Sequence, residues 1–165
     1  MRILVTTSII LLAACSGGAP EKAEAPQAAA ELEAGQWETI TEVTRLTSTD
    51  KGKPVINTPA GTKTKGGGCV GATEGGKPPP ALFAMAGDKC AYKSFYMARG
   101  RVNASLSCTR PGLQGPIMMS VEGTYSATGI DAGATVETYF TGSGDVKIVS
   151  KITGSRAGPC PAAGA

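Results

Sequence analysis

The chain has no histidine among its 165 residues, and this absence excludes more chemistry than any other feature of the composition. Without an imidazole, neither a Ser-His-Asp nor a Cys-His nucleophile can be assembled. A zinc site would have to gather four scattered thiolates, and no pair of cysteines has the C-x-x-C spacing that such sites use. Aromatic residues are scarce, at 5%. Long apolar runs are scarce too. The one such run, Ile3 to Leu12, is too short to cross a bilayer as a helix, which takes roughly 20 apolar residues. The mature chain is therefore expected to carry no transmembrane helix.

What the sequence does have begins with that short run. Arg2 supplies a positive start, residues 3–12 an apolar centre and Ala13-Ala14 the small residues before a cut, which are the three parts of a signal peptide. The next residue is cysteine, so Leu12-Ala13-Ala14-Cys15 has the form of a bacterial lipoprotein signal. Cleavage after residue 14 would leave Cys15 as the first residue, carrying acyl chains, and two or more chains hold a protein to a membrane far better than one. In lipoproteins that resemble this one, Asp after the lipidated Cys retains the protein at the inner membrane. Ser, here Ser16, allows transfer to the outer membrane. The expected address is the outer membrane, lipid-anchored and facing the periplasm.

Residues 15–34 follow as a lipidated Cys and a flexible tether rich in Ala, Glu, Pro and Gly, with a root-mean-square reach of about 20–25 Å. Glu21, Glu24, Glu31 and Glu33 against Lys22 make residues 16–33 acidic, at 1 − 4 = −3. From residue 34 onward, 14 Lys/Arg against 9 Asp/Glu give +5. Those charges are scattered, as on solvated strand faces.

Residues 35–165 read as one antiparallel β domain. The 23 Gly and 11 Pro suit short strands joined by turns. In residues 36–47, Trp37, Ile40, Val43 and Leu46 recur every three residues, a helical spacing. Four threonines oppose a helix, because β-branching fits a pleated surface better. A strand with a bulge is expected. Residues 50–68 and 74–89 read mainly as loops, with a short extended piece near Lys53–Thr58 and one or two helical turns over residues 80–87. Beyond Cys90 apolar and polar residues alternate cleanly: Val102, Ala104, Leu106 and Cys108; Ile117, Met119, Val121 and Tyr125; Val136, Thr138 and Phe140; Val146, Ile148 and Ile152. Period two means half-buried antiparallel strands. Turns are expected at Arg99-Gly100, residues 128–131 and residues 142–145. The fold class is all-β: a single antiparallel meander sheet or small barrel.

Setting Cys15 aside leaves Cys69, Cys90, Cys108 and Cys160, an even number that reads as two disulfides in an oxidising compartment. Four cysteines allow three pairings. A turn at Arg99-Gly100 places residues whose numbers sum to about 199 opposite one another. Cys90 and Cys108 sum to 198, so a bulge would bring them into direct opposition. The expected bridges are Cys90–Cys108 and Cys69–Cys160.

Several landmarks occur in order: Gly35-Gln36-Trp37-Glu38, Cys69-Val70, Cys90, Cys108, Gly123-Thr124-Tyr125 and Gly154-Ser155-Arg156-Ala157-Gly158-Pro159-Cys160. This pattern resembles the family called domain of unknown function 3617, secreted or lipid-anchored proteins of Gram-negative bacteria. The resemblance spans roughly residues 35–160, with Pro159 where the family more often has Asp. It implies a fold and an address, and no activity.

Motifs that would carry chemistry are weak. Ser48-Thr49-Asp50-Lys51 matches S-x-x-K, but no S-D-N or K-T-G follows and the segment reads as a turn. Lys65-Gly66-Gly67-Gly68 lacks the Lys-Ser/Thr and helix of a phosphate cradle. Asn103-Ala104-Ser105 matches a glycosylation acceptor, which is idle in a bacterial lipoprotein. Asp88, Glu122, Asp131, Glu137 and Asp145 form no local acid–base pair. No catalytic residue, metal, cofactor or nucleic-acid partner is expected.

The one candidate partner surface is aromatic and Met-rich. It comprises Tyr92, Phe95 and Tyr96, with Met97, Met118 and Met119 nearby and Arg99 and Arg101 flanking the hairpin tip. The expectation is a non-catalytic envelope lipoprotein that binds an envelope protein or lipid. The alternative is an inhibitor of an envelope-attacking enzyme such as lysozyme.

Overall fold

The computed structural model describes residues 31–71 and 77–161. The apolar run, Cys15 and most of the Ala/Glu/Pro stretch lie outside the described residues. Seven strands form the domain: β1 (Gly35–Ser48), β2 (Lys63–Val70), β3 (Lys89–Ala98), β4 (Arg101–Thr109), β5 (Ile117–Tyr125), β6 (Gly129–Thr138) and β7 (Val146–Gly158). They make one sheet in the order β2-β1-β7-β6-β5-β4-β3, and every neighbouring pair is antiparallel. Strands β3 to β7 run as the expected meander. β7 then returns beside β1, and the β1–β2 hairpin extends the sheet, which curls into a half-barrel with β2 and β3 as its two edges.

The alternation seen in the sequence sets the inner face. Val102, Ala104, Leu106, Ile117, Met119, Val121, Ala134, Val136, Val146, Ile148 and Ile152 are all buried there. β1 obeys the same period-two rule: Trp37, Thr39, Thr41 and Val43 are buried, whereas Ile40 is 45% exposed. The expected bulge lies between Val43 and Arg45 and shifts the parity, so that Leu46 sits opposite Ile148 and returns to the core side. The three-residue spacing of the apolar residues thus comes from a bulge, and Ile40 is the member that points outward.

The concave side is filled by segments between strands. A single 3-10 turn, Pro80–Leu82, stands where one or two helical turns were expected, and it carries Leu82 and Phe83 into full burial. Ile56 enters from the β1–β2 connection and Leu32 from the segment preceding β1. The region read as a loop over residues 50–68 instead contains most of β2. Its Gly-rich sequence hides a strand because the inward positions must be bare. A Cβ on Gly68 would lie 2.8 Å from Pro79 Cγ, and one on Gly66 2.8 Å from Thr39 Oγ1. Glycine here lets the 3-10 turn lie flat on the strand. The piece near Lys53–Thr58 pairs with no strand among the described residues, and β6 begins at Gly129, inside the expected 128–131 turn.

Both bridges have the pairing that the hairpin arithmetic requires. From Ala98↔Arg101 to Ser94↔Ser105 the partner numbers sum to 199. From Tyr92↔Leu106 to Cys90↔Cys108 they sum to 198, the step being a bulge at Lys93. The Cys90 and Cys108 Cα atoms are 4.0 Å apart. At the opposite end of the sheet, Cys69 and Gly158 pair with Gln36 from its two sides. The Cys69–Cys160 bridge, Cα to Cα 5.5 Å, therefore straps the ends of β2 and β7 together across the start of β1.

Candidate functional site

Arg99 (φ 52°) and Gly100 (φ 72°) form the two-residue corner between β3 and β4 with both residues left-handed, the geometry that matches strand twist in tight hairpins. The Tyr125 amide donates to Gly100 O at 2.9 Å and pins the tip to the end of β5. Along β3 the Lys93 bulge puts Tyr92 and Phe95 on the same, inward side. Their rings lie 4.9 Å apart with Lys77 Nζ 4.8 Å and 5.5 Å from their centroids. The Tyr92 hydroxyl donates to Pro78 O at 3.0 Å, and burial pushes this phenol well above its usual pKa.

The expected partner surface is thereby divided. Tyr92, Phe95 and Met97 pack against the core from the edge strand. Tyr96 is 56% exposed on the outer face, in register with Asn103, and Arg101 is exposed beside it. Arg99 stands at the tip. What the fold keeps together is Tyr96, Arg99 and Arg101.

A second concavity was not anticipated. On the outer face of β2, β1 and β7, a groove of about 590 Å³ is lined by Gln36, Glu38 and Ile40 from β1, Lys65 from β2, and Thr153 and Ser155 from β7. Gly66, Gly67 and Gly154 also line it with backbone. It offers one ammonium, one carboxylate, hydroxyls and an exposed aliphatic side chain. It was not legible because half of one wall belongs to a strand that reads as a loop.

At one end of this groove the chain enters the sheet. Trp37 Nε1 donates to Glu33 O at 3.0 Å, Arg156 Nε donates to Ala34 O at 2.9 Å, and Arg156 lies 3.7 Å from the Glu33 carboxylate. The Glu33 amide donates to Ala127 O in the β5–β6 turn. Gly35 lies against the end of β7: a Cβ there would overlap Gly158 O and stand 2.7 Å from Arg156 Nε.

A family model described as a protein of unknown function, DUF3617, matches residues 32–160. The chain belongs to this family. No curated protein and no solved structure matches it significantly. In this DUF3617 domain the two motifs that carry the resemblance, Gly35-Gln36-Trp37-Glu38 and the closing Gly154 to Cys160 segment, are partners in one structural unit. They clamp the lead-in segment where it meets the sheet.

Each of the carboxylates considered for acid–base work has its own partner. Asp88 pairs with Arg110 at 2.6 Å, Asp131 with Lys151 at 3.2 Å and Glu137 with Lys147 at 2.9 Å. Glu122 accepts from Asn103, and Asp145 accepts from Thr138 Oγ1 and the Phe140 amide. The Lys147 and Tyr139 hydrogen bonds hold the Glu137 carboxyl below its usual pKa, and the bond to Glu137 pushes the Tyr139 phenol up. Ser48 ends β1, and its hydroxyl donates to Asp50 O at 2.9 Å rather than standing at a helix N-terminus. Among the described residues no group of three or more Cys, Asp or Glu side chains is placed to hold a metal ion.

Proposed function

We propose that this chain is a lipid-anchored envelope protein, held by Cys15 to the periplasmic side of the outer membrane, whose β domain is a non-catalytic binding module for an envelope protein or lipid. The observation that carries the reading is the division of the five cysteines. Four close two bridges within the domain, which suits an oxidising compartment, and the fifth stands directly after Leu12-Ala13-Ala14. The half-barrel interior is occupied by Trp37, Leu82 and Phe83, so the reading locates recognition outside, on the outer-face groove and the hairpin tip, rather than in a lumen. Carboxylates that are each partnered support a binding role over acid–base chemistry.

Affinity capture from solubilised native membranes tests this reading. The bait is the chain from residue 16 on, compared with the same chain carrying Ile40→Asp and Lys65→Glu. A partner retained by the first and lost by the second supports the groove as a recognition surface. Equal capture by both removes the groove, and no captured component removes the binding module.

A further inference from the structure

The lead-in segment and the Arg99 corner are linked at one end of the sheet. The Glu33 amide bonds to the β5–β6 turn at Ala127, the Arg156 amide to Thr128 in the same turn, and Tyr125, which precedes it, to Gly100. The longest strand, β1, has 14 residues and spans about 45 Å at roughly 3.3 Å per residue. On the sequence expectation that residues 15–34 act as a loose coil with a root-mean-square reach of about 20–25 Å, the anchor is held within less than the length of the domain. A domain held this way presents its tethered end to the bilayer more often than its far end.

That end carries a residue chosen against backbone preference. Arg99 is the one non-glycine residue with positive φ among the described residues, at a corner where Asn, Asp or Gly sits without strain. Arg99 and Arg101 are both exposed, and neither makes an ion pair among the described residues. The neighbouring acids Glu33 and Asp131 are taken up by Arg156 and Lys151. The competing charges are Glu31 at the lead-in and Glu122, which accepts from Asn103 and lines the same outer-face concavity as Tyr96 and Arg101. Tyr96 lies alongside, 56% exposed, with the apolar body and polar tip suited to a headgroup region.

We infer that the β3–β4 tip, through Arg99, Arg101 and Tyr96, is a contact site for anionic phospholipid headgroups of the membrane that holds the chain. The inference rests on the lipid-anchor reading for its orientation argument, and the acylation of Cys15 is measured separately, so the two fail independently. The tip adds a second, electrostatic attachment to the acyl chains and fixes which end of the domain meets the bilayer. Each arginine near an anionic surface contributes about fivefold in affinity, and the pair about 30-fold.

The test uses the chain from residue 16 on, so that neither the apolar run nor an acyl chain contributes. Co-sedimentation is measured with vesicles of phosphatidylglycerol mixed into phosphatidylcholine and with vesicles of phosphatidylcholine alone. Binding to the anionic vesicles alone is expected, with loss at about 1 M salt, where the screening length falls to about 3 Å. Arg99→Gly relieves the left-handed strain, so its melting temperature should equal or exceed that of the parent while its vesicle affinity falls about fivefold. Arg99→Gly with Arg101→Gln should fall about 30-fold. Equal binding to both vesicle types, or unchanged anionic binding by the stable double variant, overturns the inference.

Discussion

Trp37 and Arg156 face each other across the β1–β7 ladder and donate to consecutive carbonyls, the indole to Glu33 O and the guanidinium to Ala34 O. The two carbonyls belong to chain that precedes the sheet, where no neighbouring strand can satisfy them. A buried aromatic and a long cation therefore fasten the lead-in to the domain. This is the physical content of the Gly-x-Trp-Glu and Gly-x-Arg-x-Gly-x-Cys motifs.

Removing the Arg156 donor, or crowding the junction at Gly35, should loosen it measurably. Arg156→Gln should cost about 1–2 kcal/mol through loss of a charge-assisted hydrogen bond at a partly exposed site. Gly35→Ala should cost about 1–3 kcal/mol, because its Cβ overlaps Gly158 O and crowds Arg156. Both are read from the urea unfolding midpoint at unchanged slope.

Gly68→Ala should destabilise by about 1–3 kcal/mol, since its methyl group meets Pro79 and Leu82 in a filled interior. Gly133→Ala is the matched control. Its Cβ would find nothing nearer than Glu122 O at 3.9 Å, and the change should be neutral or stabilise by up to about 1 kcal/mol. Thermal unfolding of the two variants decides whether β2 is glycine-rich for packing or only for flexibility.

Deleting Lys93 should leave the disulfides unchanged. With the bulge residue gone, Ser94↔Ser105 runs directly into Tyr92↔Leu106, and Cys90 still opposes Cys108. Non-reducing peptide mapping should recover Cys90–Cys108. The same deletion removes a charged bulge from an edge strand, so self-association should rise by light scattering.

Asp50 accepts the amides of Asp145, Gly144 and Gly52, and these bonds hold its carboxyl below the ordinary value of 3.8. A depressed folded-state pKa contributes stability that is fully present above the unfolded value and is lost as pH falls through the folded one. Asp50→Asn should therefore lower the melting temperature at neutral pH. The gap from the parent should close as pH drops below 3.8. A gap that is constant with pH would assign the effect to shape rather than charge.

Legibility followed the strength of local signals. The Arg99-Gly100 corner and the alternation from Val102 to Ile152 announced β4, β5 and β7, and the same corner fixed both bridges. β1 was legible as a bulged strand, yet the face of Ile40 was not, because a bulge mimics helical spacing over a few residues. β2 was hidden, since its glycines answer to Pro79 and Thr39, contacts made across the fold. The candidate surface was half legible: Tyr96, Arg99 and Arg101 share an exposed region. Tyr92 and Phe95 turn inward because one extra residue, Lys93, sets their common face. The outer groove depends on three strands that are distant in sequence, and no local pattern marks it.

The mass of the protein purified from its native membrane tests the proposed lipid-anchored, oxidised envelope domain most directly. The expected result is an N-terminal peptide beginning at Cys15 with diacylglyceryl and N-acyl groups, and a domain in which Cys69–Cys160 and Cys90–Cys108 are closed. A chain that retains residues before Cys15 with an unmodified thiol, or one whose four domain cysteines are free, would contradict it.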